Sequence, residues 1–405
     1  MMDTNRKEQM LNRPDSGTAN SEQRLKPVSW NRNRLTAKLG IEYPIIQGPL
    51  GGLSSQRLTA AVSNFGGLGS FGALNLSPEA IKDMIAEIRS LTAKPFAMNL
   101  WVSQEDDGVR RSDEGAFNRS LLPIAHHLTE LGAPLPTYKP YSPTTRFEDQ
   151  ARALIDAKVP MFSFIFGIPP KEILQECEAK HIVTTGTATT PEEAAALQEA
   201  GVDAIVASGF EAGGHRGSFL RAADDSLTGT FSLVPRITDT VNVPVIAAGG
   251  IADARGLVAA LALGAEAVQM GTAFLACEES GASLLHRQAL QEKRAGHSAL
   301  TKGFTGRLAR GIRNRLLEEL NQSGIEILPY PLQRALVRNL TIPAEAAGRP
   351  DLLPMWAGQS ANLSTCADVS DFLTSLVEEV SEIAGPIMQW SAARREKQIR
   401  KKTDS

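Results

Sequence analysis

Eight short apolar runs rich in Val, Ile and Phe, strand starts recurring roughly every 21–27 residues apart from two longer gaps, and segments of helical period between the runs predict an α/β protein built as a (β/α)8 TIM barrel. The runs cover residues 43–50, 68–73, 95–101, 160–167, 181–187, 204–210, 244–250 and 267–274. They are apolar on both faces, as strands in a buried parallel sheet must be. A doubly wound open sheet has the same period, but eight units is the barrel number and more than such a sheet usually uses.

The intervening segments carry helix signals in order. SPEAIKDMIAEIRSL (77–91) and TPEEAAALQEA (190–200) open with Ser77 and Thr190 as N-caps, each followed by Pro at the first helical position. Gly201 and Gly264 stand where helices should stop. The long gaps are a polar, Pro-rich insertion over about 102–145 and the stretch EAGGHRGSFLRAADDSLTGT after residue 210. Both follow strands, which places them at the C-terminal mouth of a barrel, where active sites lie. The predicted organisation is a polar disordered tail over 1–25, a barrel over 26–276, a helical cap with a return to the barrel over 277–390, and a basic tail over 391–405.

Composition excludes several function classes. The chain has 405 residues, with 42 basic against 45 acidic side chains and a formal net charge of −3, so it has no basic field for nucleic acid. No apolar stretch approaches the length needed to span a bilayer, and the N-terminus lacks the apolar segment of a secretory signal. Cys177, Cys277 and Cys366 form no metal or disulfide spacing, which predicts a reduced, cytoplasmic setting. There is no GxSxG, P-loop or HExxH, and no bound metal is expected.

Glycine carries the site prediction. AAGGI (247–251) and MGT (270–272) end the seventh and eighth runs, where such barrels commonly hold a phosphate on bare backbone N–H groups. The same glycines would also serve tight turns that only need positive φ. The GLGSFG string (67–72) matches a dinucleotide fingerprint but occupies the second run instead of opening a helix, so it is read as strand. His215, flanked by Gly213, Gly214 and Gly217 after the sixth run, has no apolar packing signal of its own. It suits a general base or anion-orienting group titrating near neutral pH, with Arg216 beside it as a source of positive potential.

QGPLGG (47–52), PFAMNLW (95–101), GVDAIVASGFEAGGHRGSF (201–219), VPVIAAGGI (243–251), AVQMGTAFL (267–275) and WAGQ (356–359), in this order and spacing, resemble the nitronate monooxygenases, formerly called 2-nitropropane dioxygenases. The resemblance spans about residues 44–359. It implies non-covalent FMN and oxidation of alkyl nitronates such as propionate 3-nitronate with O2 to a carbonyl product and nitrite. It makes His215 the catalytic residue. It also implies FMN contacts at Gln47, Gly48, Pro49, Asn99, Ser208, Gly213, Gly214, Gly249, Gly250, Gln269, Met270, Gly271 and Thr272. Tyr138 and Trp356 are expected to wall the substrate pocket. One departure is Ser208, where the family usually has Gln; the shorter side chain is expected to weaken or retune FMN binding. The alternative is an FMN-dependent NAD(P)H reductase, acting on an enoyl thioester or a quinone, on the same barrel.

Overall fold

A computed structural model of the chain describes residues 29–143, 145–363 and 368–384. The expected tails at 1–25 and 391–405 lie outside the described residues, as does Cys366. Eleven strands occur among the described residues: β1 (Ile45–Gln47), β2 (Gly69–Gly72), β3 (Phe96–Trp101), β4 (Met161–Ile165), β5 (Val183–Ala188), β6 (Ala204–Ser208), β7 (Gly214–His215), β8 (Val245–Ala248), β9 (Ala267–Met270), β10 (Ser298–Thr301) and β11 (Ala309–Ile312).

Eight of them form one parallel sheet in the order β1-β9-β8-β6-β5-β4-β3-β2. The ring is closed by a parallel bridge between Ile46 and Leu68, with Leu68 N–H donating to Ile45 O and Gln47 N–H to Leu68 O, both at 2.9 Å. The fold is therefore the predicted (β/α)8 barrel, one strand in each apolar run. The eighth run contains a change of structure: β9 ends at Met270 and a short helix, Thr272–Leu275, follows at once. The helix signals act as read. Ser77 Oγ accepts from Ala80 N–H at 3.2 Å, Thr190 Oγ1 accepts from Glu193 N–H at 3.2 Å, and Gly201 and Gly264 both take positive φ just past a helix end.

The GLGSFG string is strand, for a packing reason. A Cβ at Gly69 would lie 1.9 Å from Thr59 O, because helix Gln56–Phe65 presses directly on β2. Glycine there serves close helix–strand approach, not a nucleotide.

Two regions depart from the sequence reading. Residues 102–145 hold a helix, Glu114–Glu130, whose Leu121, Ile124 and Leu128 bury against Leu336, Val337 and Leu340 of helix Leu332–Ala346. This makes a second core beside the barrel, one that polar, Pro-rich composition did not announce. The region after 277, read as helices and loops, also holds an antiparallel sheet, β10-β11-β7. β11 pairs with β10 and with β7, and β7 comes from the glycine loop after β6. Two-residue β7 is too short to show as a period of two. The final described helix, 369–384, buries Phe372, Leu373, Leu376 and Val380 in the barrel core.

Gly69→Ala should lower stability by about 3 kcal/mol, since the added carbon meets backbone that cannot rotate away. A denaturant-unfolding midpoint that does not move would show that the helix–strand contact yields.

Candidate active site

The barrel mouth is lined by loops that follow the strands. Gly48 to Leu53 follow β1, Ala212 to His215 follow β6, Gly249 to Ala252 follow β8, and Gly271 and Thr272 follow β9. Asn99 and Trp101 enter from β3, Ser163 and Ile165 from β4, Thr187 from β5, and Ser208 from β6. Gly249 and Gly250 have φ of +105° and +73°, so the chain there turns through conformations that side-chain-bearing residues resist. Among the described residues, no hydrogen bond takes up the backbone N–H of Gly249, Gly250 or Gly271. These donors end adjacent strands and form a cradle for an anion.

Residues 356–360 stitch the cradle. Gly358 N–H donates to Thr272 Oγ1 at 2.9 Å, Gln359 N–H to Glu211 O at 2.9 Å, and Ser360 Oγ to Gly250 O at 2.7 Å. The crossing is tight: a Cβ on Gly213 would lie 2.6 Å from Ala357 C and Gly358 N.

His215 is held from three sides. Its backbone pairs with Ala309 of β11. Its ring stands edge-on to Trp101, with centroids 4.8 Å apart, and lies 5.3 Å from Trp356. Nε2 lies 2.9 Å from Thr305 Oγ1. The Thr305 hydroxyl also lies 3.2 Å from Arg307 O, so it can donate to or accept from Nε2, and either ring nitrogen of the neutral imidazole can carry the proton.

The charges around the imidazole act in one direction. Burial, then the guanidinium of Arg307, then that of Arg334, push the His215 pKa down to about 3. The sequence reading of titration near neutral pH is thereby corrected: His215 is neutral at physiological pH. Arg307 is fully engaged, donating to Asp106 Oδ1 at 2.8 Å, Ser103 O at 2.9 Å and Ser103 Oγ at 3.0 Å, and lying over Phe166 and Tyr330 at 4.3 and 4.5 Å. Arg216, expected as a source of potential, is buried instead and donates to the carbonyls of Ser208, Thr189 and Ser226. It clamps the loop after β6, together with Glu193, which accepts from Phe219 N–H at 2.6 Å.

The structure brings most sequence-predicted residues to this one cavity: Gly48, Pro49, Asn99, Ser208, Gly213, Gly214, Gly249, Gly250, Gln269, Gly271, Thr272, His215 and Trp356. Three predicted residues lie off it. Gln47 is fully buried, its amide donating to Gly48 O and Ser70 O and accepting from Ser70 N–H, so it shapes the turn that presents Gly48. Met270 points into the barrel core. Tyr138 lines a separate groove with Phe117 and Leu332, its hydroxyl donating to Ser112 O at 3.0 Å. It belongs to the insertion, which packs on the second core and not over the mouth. Sequence reasoning missed Thr305 and Arg334. The GFTGR string (303–307) is a Gly-bounded turn and could have flagged Thr305; Arg334 sits in ordinary helix with no signal.

The family model described as nitronate monooxygenase matches residues 32–379. The chain is 42% identical over 357 residues to a protein named probable nitronate monooxygenase from Staphylococcus aureus (strain Newman), covering 87% of this chain and 99% of the relative. Its structure is similar to that of a nitroalkane oxidase from Streptomyces ansochromogenes, with TM-score 0.76, 33% identity, and coverage of 86% and 98% of the two chains. It is also similar to FabK from Thermotoga maritima, with TM-score 0.68, 28% identity, and coverage of 89% and 99%. Fold and relatives together define a flavin-dependent oxidoreductase on a (β/α)8 barrel. The chain belongs to the nitronate monooxygenase family. Among its described residues, no helix is long and apolar enough to cross a membrane.

The depressed His215 pKa has a stability consequence. Between about 3 and the ordinary 6.5 the unfolded chain binds a proton at this residue that the folded chain does not, so stability falls as pH drops through that window. Buried His286, also lowered, acts in the same sense. Unfolding midpoints measured from pH 7 to pH 4 should fall less steeply for His215→Asn than for the parent. Equal slopes would mean that His215 is not held neutral.

Proposed function

We propose that this protein is an FMN-dependent nitronate monooxygenase that oxidises alkyl nitronates such as propionate 3-nitronate, with O2, to a carbonyl product and nitrite. The observation that carries the reading is the placement of neutral, Thr305-bonded His215 in the same cavity as the glycine cradle. The cavity fits a phosphate-bearing flavin because the N–H groups of Gly249, Gly250 and Gly271, which no hydrogen bond among the described residues takes up, end adjacent strands in its lining beside the Thr272 and Ser360 hydroxyls. These three residues would hold the phosphate with Thr272. Gly48, Pro49, Asn99, Ser208, Gly213, Gly214 and Gln269 would line the ring. When bound, the flavin supplies the redox chemistry with substrate and O2.

The chain's own residues do the rest. Trp101 and Trp356 wall the substrate space around His215 and keep water from it, which strengthens each polar contact there. A nitronate arrives already deprotonated and needs only orientation. For a neutral nitroalkane, the unprotonated ring nitrogen of His215 takes the proton from the carbon beside the nitro group; for a nitronate, the ring N–H donates to the anion. We further propose that the second core, with residues 356–360, serves as the cap over the cofactor.

Oxygen uptake on adding propionate 3-nitronate, without NADH, tests the reading: rapid uptake with nitrite release is expected. No uptake by FMN-loaded protein, with rapid anaerobic bleaching of the flavin by NADH, would turn the assignment to the NAD(P)H reductase. His215→Asn should lower kcat/KM for the nitronate by about 10-fold or more, as expected for a lost hydrogen bond to a charged group; unchanged turnover would remove His215 from the mechanism. Ser208→Gln should tighten FMN binding by about 0.5–1.5 kcal/mol, read as the dissociation constant from fluorescence titration.

A further inference from the structure

The described lining of the cavity contains two ionisable side chains, His215 and Arg334. The first is neutral. Arg334 is therefore the cavity's fixed charge, and its position is rigid. It stands in the first turn of helix Leu332–Ala346, beside fully buried Gln333. The Gln333 amide donates to Gly303 O at 2.8 Å and accepts from Leu328 N–H at 3.1 Å. That ties the start of the helix to the turn that carries Thr305, and hence to His215. On the same helix Leu336, Val337 and Leu340 are sunk in the second core.

Arg334 differs from its neighbour Arg307. Arg307 spends its donors on Asp106 and Ser103, whereas among the described residues no carboxylate lies within ion-pair distance of Arg334. Its protein partner is the Tyr330 hydroxyl. A half-buried guanidinium without a counter-ion, facing a cavity walled by aromatic rings and glycine backbone, is built to receive one.

We infer that Arg334 is the oxyanion-recognition residue of this cavity, its guanidinium binding a planar anionic group of the substrate while His215 serves as the proton-accepting group beside it. The inference rests on the proposed function for the identity of the substrate, but not for anion binding. A planar fork matches the paired oxygens of a nitronate or a carboxylate alike. Propionate 3-nitronate carries both groups, and an unsubstituted alkyl nitronate only one.

The test combines binding with kinetics on FMN-loaded protein. Nitrate, a planar oxyanion, is titrated by calorimetry into the parent, Arg334→Gln, Arg334→Lys and, as a control, exposed Arg338→Gln. Arg334→Gln should weaken nitrate binding and raise KM for propionate 3-nitronate by about 10–100-fold, with a smaller change in kcat. Arg334→Lys should fall between, and Arg338→Gln should match the parent. If KM for ethyl nitronate rises equally, the guanidinium holds the nitronate oxygens; if only the carboxylated substrate is affected, it holds the carboxylate. Nitrate affinity and KM unchanged in Arg334→Gln would overturn the inference. Should that variant lose FMN, the parent decides: nitrate binding that does not weaken as ionic strength rises overturns it equally. Nitrate binding that depends on Arg334 in a protein consuming no O2 with any nitronate would keep the anion site and sink the monooxygenase reading.

Discussion

Strand β11 is the constraint on which the site depends. It lies in the second core by sequence, yet one of its edges receives two separate pieces of chain. Ala309 and Arg310 pair with His215 and Gly214, and Gly311 bridges to Trp356. The strand accepts this crowding because Gly311 has no side chain; a Cβ there would lie 2.8 Å from Met355 O. Arg310 adds a second tie, donating to Phe210 O at 2.9 Å where the glycine loop begins. Without this ladder, His215 would ride on a loop containing Gly213, Gly214 and Gly217, and ordering each such residue costs about 1–2 kcal/mol. The barrel supplies the loop, and the second core orders it.

The same arrangement sets the electrostatics. A histidine beside two guanidinium groups is an unusual choice for binding an anion through its own charge, because the neighbours suppress that charge. It is a good choice for keeping a lone pair available. Arg307 is locked by Asp106 and by the rings of Trp101, Phe166 and Tyr330, so its charge acts at a distance and is not itself available for ligand contact. In the proposed mechanism proton chemistry and charge recognition thus fall to different side chains, with Arg334 also helping to keep His215 neutral.

How much of this was legible in the sequence follows from where each residue's constraint lies. The eight barrel strands were readable because burial on both faces writes itself as local apolar runs, and the caps at Ser77 and Thr190 because capping is local too. The glycine cradle was readable because Gly249, Gly250 and Gly271 sit at strand ends, where barrel geometry alone says what a bare backbone can do. Ladder β10-β11-β7 was not, since its pairing joins residues about 95 positions apart over two or three residues, too few to show a period. Tyr138 was misplaced for a related reason: position in an insertion after β3 says that the chain passes near the mouth, not which core its helix will choose. Neutral His215 was out of reach as well, because its pKa is set first by burial and then by Arg307 and Arg334, all consequences of contacts distant in sequence.

The second core is tied to the barrel mouth through one segment of chain. Residues 356–360 bond to Thr272, Glu211 and Gly250, the loops that shape the anion cradle, while Trp356 in the same stretch packs on His215. Buried His286 holds that stretch in turn, its Nε2 lying 2.9 Å from Trp356 O. Cradle and imidazole are therefore not independent sites that share a cavity. One segment of backbone contacts both, so displacement of 356–360 would loosen the glycine cradle and the imidazole together.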